Sequence, residues 1–434
     1  MQQITRWMLQ AINPFLLFLS LPLAAAARDN FLVVVLDDVG VDAIGVYSDD
    51  VTYGHDGVGA APGPTPTIDG IAAEGMLFRH AYANPMCSPT RAAALTGRYG
   101  FRNGVGIPED AYLRPSETII PEALAATHAN AAIGKWHLGG NDADHPNEAG
   151  FDNFSGTLGN LGQGVTTYFS WRKTVQGATT AGWPAYATTD NVNDAIGQIA
   201  GFGDDPWFVW LAFNAAHTPF HVPTAGLNTI AVDDASDDLT KYQAAVEAID
   251  TELDRLLASI PSDVLADTTI IVFGDNGTPK SVSVPPFRSN HAKSTVYEGG
   301  IRVPFIVRSP YIAGADRGRE SLALVHSVDI FATLAEIAGV SAATARDSVS
   351  FLPYLQDPDL ATLPTRPYVY SEMFTPDGSG SNLNDERTIR TETFKLIWRN
   401  GVYEELFNLD DDPFERDNLL LGALDAIEVA AYDE

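Results

Sequence analysis

The sequence predicts an α/β fold: a large, mainly parallel sheet sandwiched by helices, with a small α+β subdomain at the C-terminus. Two observations predict the main body. Four continuous apolar runs have the length and composition of strands buried on both faces of a parallel sheet, and stretches with helical spacing lie between them. A third observation predicts the appendage. After about residue 350 the alternation gives way to short strand-like runs around a loop rich in Gly, Ser, Asn and Asp.

The first strand is FLVVVL (Phe31–Leu36), which ends at Asp37-Asp38. Further on, Pro89 suits a helix's first turn, Ala92–Leu95 are good helix formers and Gly97 can end the helix. Cys87 then lies just before a helix N-terminus, where the dipole favours anionic character. A small buried hydrophobe is the other reading of a lone cysteine. Ser155–Tyr186 is rich in Gly, Thr and aromatics, lacks clear periodicity and reads as a long excursion. WFVWLAF (Trp207–Phe213) is the second strand and ends near His217. From Leu239, the positions Tyr242, Val246, Ile249, Leu253, Leu256 and Leu257 follow a helical period. TTIIVFG (Thr268–Gly274) is the third strand, ending at Asp275-Asn276, and VPFIVR (Val303–Arg308) is the fourth. Val325, Val328, Phe331, Leu334 and Ile337 make another helical face, stopped at Gly339. Strands Tyr368–Glu372 and Phe394–Trp398, with the loop Thr375–Asp385 between them, form the appendage. Ligands sit beyond the carboxyl ends of strands in open α/β sheets. Asp37, Asp38, His217, Asp275 and Asn276 are therefore expected at one edge.

Composition excludes several classes. The chain has 434 residues and 45% hydrophobics, too apolar for a disordered chain. Its 56 acidic and 26 basic residues give a net charge of −30, which opposes a nucleic-acid surface. One cysteine excludes an intramolecular disulfide framework and a Cys-rich metal site. At the N-terminus, Arg6 precedes an apolar stretch from about Trp7 to Leu23, followed by the small residues Ala24–Ala27. This is the signal-peptide pattern. Pro14, Pro22 and the short run Phe15–Leu23 disfavour a membrane span of about 20 residues. The expected organisation is a signal peptide at 1–27, a catalytic α/β domain at 28–355 and a small subdomain at 356–434. The expected location is periplasmic or secreted, with no stable membrane span. Export normally encourages disulfides, so a lone cysteine needs another explanation.

The residues Cys87-Ser88-Pro89-Thr90-Arg91-Ala92-Ala93-Ala94-Leu95-Thr96-Gly97-Arg98 supply one. They resemble the sulfatase signature C-x-P-S/T-R followed by x-x-x-L-T-G-R. The resemblance implies an alkaline-phosphatase-like fold. It also implies oxidation of Cys87 to Cα-formylglycine by a formylglycine-generating enzyme that binds transiently. Other segments agree in order. Gly134-Lys135-Trp136-His137-Leu138-Gly139 matches the family's G-K-W-H-L-G, although Thr127, His128 and Asn130 depart from the usual residues upstream. Lys293, in Lys293-Ser294-Thr295-Val296-Tyr297-Glu298-Gly299-Gly300-Ile301-Arg302-Val303-Pro304, matches the second sulfate-binding lysine. His217-Thr218-Pro219-Phe220-His221 resembles H-x-P-x-H. Thr65-Pro66-Thr67-Ile68-Asp69 and the stretch Glu405–Glu415 resemble structural segments, so the likeness runs from about Asn30 to Leu419.

Taken alone, Asp37-Asp38 reads as a solvated pair or helix cap, and Asp275-Asn276-Gly277 as a turn. Two adjacent carboxylates repel unless a positive group sits between them. With the resemblance, Asp37, Asp38, Asp275 and Asn276 imply a Ca²⁺ site, or Mg²⁺, completed by modified residue 87. One hydroxyl of hydrated residue 87 would attack sulfur in line. His217, aided by Lys293, would protonate the leaving alcohol, and His137 would deprotonate the second hydroxyl to release sulfate. Arg91 and Lys135 would hold the diol and balance the acids. Lys135, His217, Lys293 and His221 would meet substrate, although His221 reads equally as a packing residue. Tyr168, Trp171, Trp183 and Tyr186 suit ring stacking or loop packing, and Arg172 and Lys173 a second anionic group. The expected substrate is a sulfated small molecule or oligosaccharide. A phosphonate monoester or phosphodiester hydrolase is the nearest alternative, and an inactive sulfated-glycan-binding protein a further one.

Overall fold

Apolar runs without alternation must be covered on both sides, and the sheet they build is covered on both. The computed structural model describes residues 29–48, 62–109, 111–162, 166–357, 366–378 and 384–434. The expected signal peptide lies outside these residues. The strands are β1 (Asn30–Leu36), β2 (Met76–Phe78), β3 (Ala81–Tyr82), β4 (Ala129–Lys135), β5 (Asn153–Thr157), β6 (Trp171–Val175), β7 (Ala178–Trp183) and β8 (Trp207–Ala212). They continue as β9 (Thr268–Gly274), β10 (Phe305–Arg308), β11 (Arg319–Ser321), β12 (Val325–His326), β13 (Val369–Thr375), β14 (Asn384–Arg390), β15 (Phe394–Arg399) and β16 (Tyr403–Asn408). Ten of them form one sheet in the order β11-β2-β10-β9-β1-β8-β4-β5-β6-β7. From β9 to β5 every neighbouring pair is parallel.

Side chains alternate across β1. Helix α1 spans Pro66–Ala73 and helix α2 Cys87–Thr96. Phe31, Val33 and Val35 join one core with Ala92, Ala94 and Leu95 of α2 and with Phe331 and Leu334. Leu32, Val34 and Leu36 join the opposite core with Val192 and Ala195 of the helix Ala187–Phe202 and Tyr242, Val246, Ile249 and Leu253 of the helix Asp238–Ser259. The sheet is thus sandwiched by helices, as the sequence predicts.

Four expectations need correction. The fourth strand begins at Phe305 and runs antiparallel to β9. The apolar series from Val325 is not one helix. Val325 lies in β12 and Val328 in the turn Ser327–Asp329, and the helix runs from Ile330 to Ile337. Asp329 makes the break: its carboxylate accepts from the His326 N–H at 2.9 Å and binds the Arg366 guanidinium. The presumed excursion contains β5 and the antiparallel hairpin β6–β7, which closes one edge of the sheet. Five of the six residues of β7 are exposed, so its sequence carries no apolar signal. The appendage is a four-stranded antiparallel sheet, β13-β14-β15-β16. Its strands NDERTIR and YEELFN are too charged to read as strands.

The small sheet is fastened to the large one by buried charge. Lys395 Nζ donates to Glu298 Oε1 at 3.0 Å and pairs with Glu415 Oε1 at 2.7 Å. Tyr82 Oη donates to Glu298 Oε2 at 2.9 Å, and the Glu298 N–H donates to Glu415 Oε2 at 2.6 Å. Removing one partner of a buried pair strands the others, at about 3–5 kcal/mol. Lys395→Met is therefore expected to lose about that much stability in guanidinium unfolding. A loss below about 1 kcal/mol would show that this cluster does not fasten the two sheets.

Candidate functional site

Parallel pairing brings strand ends to one edge, and register decides which residues meet there. Leu36 pairs with Gly274, so Asp37 and Asp275 emerge side by side. On the other side of β1, β8 leads to His217 and β4 delivers Lys135 and then His137. Gly134 makes this approach possible: its φ is +90°, and a Cβ there would meet the Ala212 carbonyl oxygen at 1.9 Å. The first turn of α2 supplies Cys87 and its second turn Arg91. Cys87 is thus inside the helix rather than just before it. Gly97 ends α2 in the left-handed region, as expected.

The charged groups interlock. Lys135 Nζ donates to Asp37 Oδ2 at 2.6 Å. Lys293 Nζ donates to Asp38 Oδ1, and Asn276 Nδ2 reaches the same oxygen at 2.9 Å. Arg91 donates from Nε and Nη2 to Asp275 Oδ2 at 3.0 and 2.7 Å, and from Nη1 to the Lys135 carbonyl at 2.6 Å. The Asp38 N–H donates to Asp275 Oδ1 at 3.1 Å. His217 Nε2 stands 3.8 Å from Asp38 Oδ2. Cys87 Sγ lies 3.3 Å from His137 Nδ1. The structure therefore brings together ten of the eleven residues that the sequence singles out.

His221 is the exception. Its Nε2 pairs with the Tyr186 hydroxyl at 3.0 Å, its Nδ1 lies 3.1 Å from the Pro219 carbonyl, and its ring stacks on Tyr168 at 3.8 Å. These contacts are those of the packing reading. The stack supports Tyr168, whose hydroxyl lies within hydrogen-bond reach of the Asn214 and His217 carbonyls. The expected stacking surface is also used internally. Tyr168 and Trp171 are buried, Trp183 donates to Asp190, and Lys173 pairs with Asp190 and Asp194 at 2.6 and 2.7 Å. Lys173 is thus committed within the fold.

Sequence reasoning missed three supports. Ser88 Oγ donates to the His137 carbonyl at 2.7 Å, Tyr242 Oη to the Asp38 carbonyl at 2.8 Å, and the Gly40 N–H to Thr278 Oγ1 at 3.2 Å. Ser88 lies within the signature segment, and Tyr242 was read only as an apolar position of its helix. Asp38, His137 and Ser294 have φ of 65°, 61° and 66°. Such conformations cost about 1–3 kcal/mol and gather where surrounding structure imposes them.

Electrostatics follow from burial and proximity. Burial works to raise Asp38, but Lys293 foremost outweighs it and holds the carboxyl below its usual range. Burial and then Asp37 push Asp275 up to about 6, against the pull of Arg91. Burial lowers His137 well below the usual imidazole range, with Lys135 and Arg91 adding to it. Burial also lowers His217, against Asp38. Burial pushes the Cys87 thiol up despite Lys135 and Lys293, so the expected anionic character is overridden.

The donor set fits a hard divalent cation. Ligand atoms of Asp37, Cys87 and Asp275 lie within 4.8 Å of one another. Asp37 Oδ1 and Asn276 Oδ1 are buried without a hydrogen-bond partner. Unpaired buried oxygens are costly, and carboxylate and amide oxygens are the ligands that Ca²⁺ and Mg²⁺ take.

Comparison with known proteins agrees with this arrangement. The sulfatase family model matches residues 29–340, and the model for the C-terminal part of N-sulphoglucosamine sulphohydrolase matches residues 289–429. N-acetylgalactosamine-6-sulfatase of Homo sapiens is 29% identical over 371 residues, covering 75% of this chain and 65% of that protein. The crystal structure of Ps i-CgsB in complex with k-i-k-neocarrahexaose has a TM-score of 0.74 at 22% identity, covering 90% of this chain and 88% of that one. Phosphonate monoester hydrolase of Agrobacterium radiobacter has a TM-score of 0.68 at 21% identity, covering 94% of each chain. These two likenesses are of fold, and the fold is alkaline-phosphatase-like.

A cation that binds only the folded state stabilises it, by about 2.7 kcal/mol at a hundredfold excess over Kd. Calcium is expected to raise the wild-type Tm, and Asp38→Asn and Asp275→Asn to lose most of that rise. An unchanged wild-type Tm with calcium and with magnesium would overturn the cation assignment.

Proposed function

The chain belongs to the sulfatase family, and from that premise we propose that it hydrolyses sulfate esters to an alcohol and inorganic sulfate, with residue 87 acting as hydrated formylglycine. One observation carries the reading. The chain's only cysteine is buried in the first turn of α2, 3.3 Å from His137, beside three carboxylates and three cations.

A divalent cation held by Asp37, Asp38, Asp275 and Asn276 would neutralise sulfate oxygens and acidify a hydroxyl on residue 87. The chain's own groups do the rest. Lys135 and Lys293 carry positive charge to the mouth of the cradle and meet the sulfate oxygens. Arg91, bound to Asp275 and to the Lys135 carbonyl, keeps the helix bearing residue 87 in register with β4 and β9. One hydroxyl of hydrated residue 87, its proton lost under the pull of the cation, would attack sulfur as the ester oxygen departs. His217 and Lys293 supply the proton that the departing oxygen takes up. His137 Nδ1, within 3.3 Å of the residue 87 side chain, would take a proton from the second hydroxyl as the C–O bond to sulfate breaks and the aldehyde reforms, and addition of water would restore the diol. His221 acts at one remove, by packing Tyr168 under His217.

The alcohol part is best read as carbohydrate. A relative is named for N-acetylgalactosamine 6-sulfate, and a structural neighbour was solved with a neocarrahexaose. The fold-level likeness to a phosphonate monoester hydrolase favours a second reading, hydrolysis of phosphonate monoesters or phosphodiesters at the same site. The proposed organisation keeps a signal peptide at 1–27, a catalytic unit at 28–355 and a C-terminal unit at 356–434, with export to the periplasm or medium. Among the described residues no helix is long and apolar enough to cross a membrane.

The test uses protein made with a formylglycine-generating enzyme. Wild type is expected to release sulfate over many turnovers and to carry an aldehyde at residue 87 by peptide mass spectrometry. Cys87→Ala is expected to lose activity by about 10³-fold or more. Full multiple-turnover activity in that variant would refute the proposal, and a higher kcat/KM for aryl phosphonate than for aryl sulfate would favour the second reading.

A further inference from the structure

Beside His137 lies a cavity of about 220 Å³ that the proposed chemistry does not use. Its walls include Glu109, Asn141 and Asn160, with His137 shared between it and residue 87. Four features of this cavity point to one kind of occupant.

It is small, below the roughly 300–1,000 Å³ typical of drug-sized ligand sites, and suits a single ring. Two wall residues are glycines that leave space open. A Cβ on Gly140 would meet nothing within 4 Å, and one on Gly159 would meet only His137 Cδ2, at 3.8 Å. Side chains there would fill the cavity. The walls are also polar. Asn160 Oδ1 is buried and has no hydrogen-bond partner, so it calls for a donor. Asn141 and Glu109 add further acceptors, and amides and carboxylates bind sugar hydroxyls with the donors and acceptors those hydroxyls need. Finally, the only formal charge among the described wall residues is negative, the exposed carboxylate of Glu109. Glu109 lines it, and no Lys or Arg does. Of Arg172 and Lys173, which the sequence offers for a second anion, Lys173 is held by Asp190 and Asp194 and exposed Arg172 does not line the cavity.

We infer that this cavity receives a neutral, hydroxyl-bearing ring of the sulfate ester, with Glu109 excluding a second anionic group from that ring. The inference rests on the sulfatase reading and deepens it. The substrate class is a sugar with one sulfate on the ring at this site. A second sulfate or a uronate carboxyl in the cavity would face Glu109 with no Lys or Arg among the described wall residues, the nearby cations Lys135 and Lys293 being paired with Asp37 and Asp38, in a chain whose net charge is already −30.

The probes are 4-nitrophenyl sulfate, a panel of monosulfated hexoses and N-acetylhexosamines, and their disulfated counterparts. Ratios of kcat/KM are read within each variant, so partial misfolding cancels. Wild type is expected to favour monosulfated over disulfated sugar by about tenfold or more. Glu109→Lys is expected to narrow that ratio by about tenfold. Gly159→Leu is expected to lower sugar-ester turnover relative to the aryl ester by about tenfold, by filling the space. Three results would overturn the inference while leaving the sulfatase reading intact: turnover of 4-nitrophenyl sulfate but of no sugar ester, equal turnover of mono- and disulfated sugars, or an unchanged ratio in Glu109→Lys. Absence of sulfate release from every probe would overturn the sulfatase reading itself, and this inference with it.

Discussion

Three buried carboxylates at one sheet edge are the constraint that the rest of the site obeys. Asp37, Asp38 and Asp275 emerge from adjacent strands β1 and β9, where water cannot screen them. Each buried charge left uncompensated costs several kcal/mol. Arg91, Lys135 and Lys293 answer them one for one, so the local charge is −3 + 3 = 0. A divalent cation would bring it to +2. A chain of net charge −30 would thereby gain a positive spot for a sulfate ester. Burial favours neutral His137, which suits a group that takes up a proton, whereas at His217 Asp38 works against burial and toward the protonated form that a proton donor needs.

The same constraint explains why distant segments converge. No single strand end can supply both the acids and their partners, so α2, β4 and the segment after Thr278 all reach the edge of β1 and β9. Strain accompanies the convergence. Asp38, His137 and Ser294 are held in the left-handed region by hydrogen bonds from elsewhere, among them Tyr242 to Asp38 and Ser88 to His137. The small C-terminal sheet takes part as well. Lys395 grips Glu298, five residues beyond Lys293, so the lysine opposite Asp38 sits on a segment anchored by the second sheet.

Much of this was legible in the sequence, for identifiable reasons. FLVVVL has no polar position and TTIIVFG only its two opening threonines, and a strand buried on both faces tolerates that. Their ends had to carry the ligand-binding residues, and Asp37, Asp38, Asp275 and Asn276 are there. Among the strands that escaped notice, β6, β7, β14 and β16 lie at or near sheet edges or in a small sheet open to solvent, and β2, β3, β11 and β12 have only two or three residues each. Central β4, ANAAIGK, escaped for another reason: its alanines, asparagine and glycine carry little strand signal although all but its first residue are buried. The break at Asp329 was hidden because β12, a turn and a helix happen to share an apolar spacing. For His221 the sequence left packing and substrate contact open, because a motif names a residue type while packing decides what that residue touches; Lys173 was offered for an anion only by its place beside aromatic residues, and the fold pairs it with Asp190 and Asp194. The cavity beside His137 was invisible for another reason: Glu109, Asn141 and Asn160 come from three separate loops, and nothing in any one of them marks a pocket.

The most direct test of the account is a crystal structure of the protein grown with calcium. The account predicts a cation at about 2.3–2.6 Å from oxygens of Asp37, Asp38, Asp275 and Asn276, with Lys135 and Lys293 turned away from Asp37 and Asp38 toward the substrate side. A structure in saturating calcium with no ion there, and with both lysines still bound to those carboxylates, would contradict it.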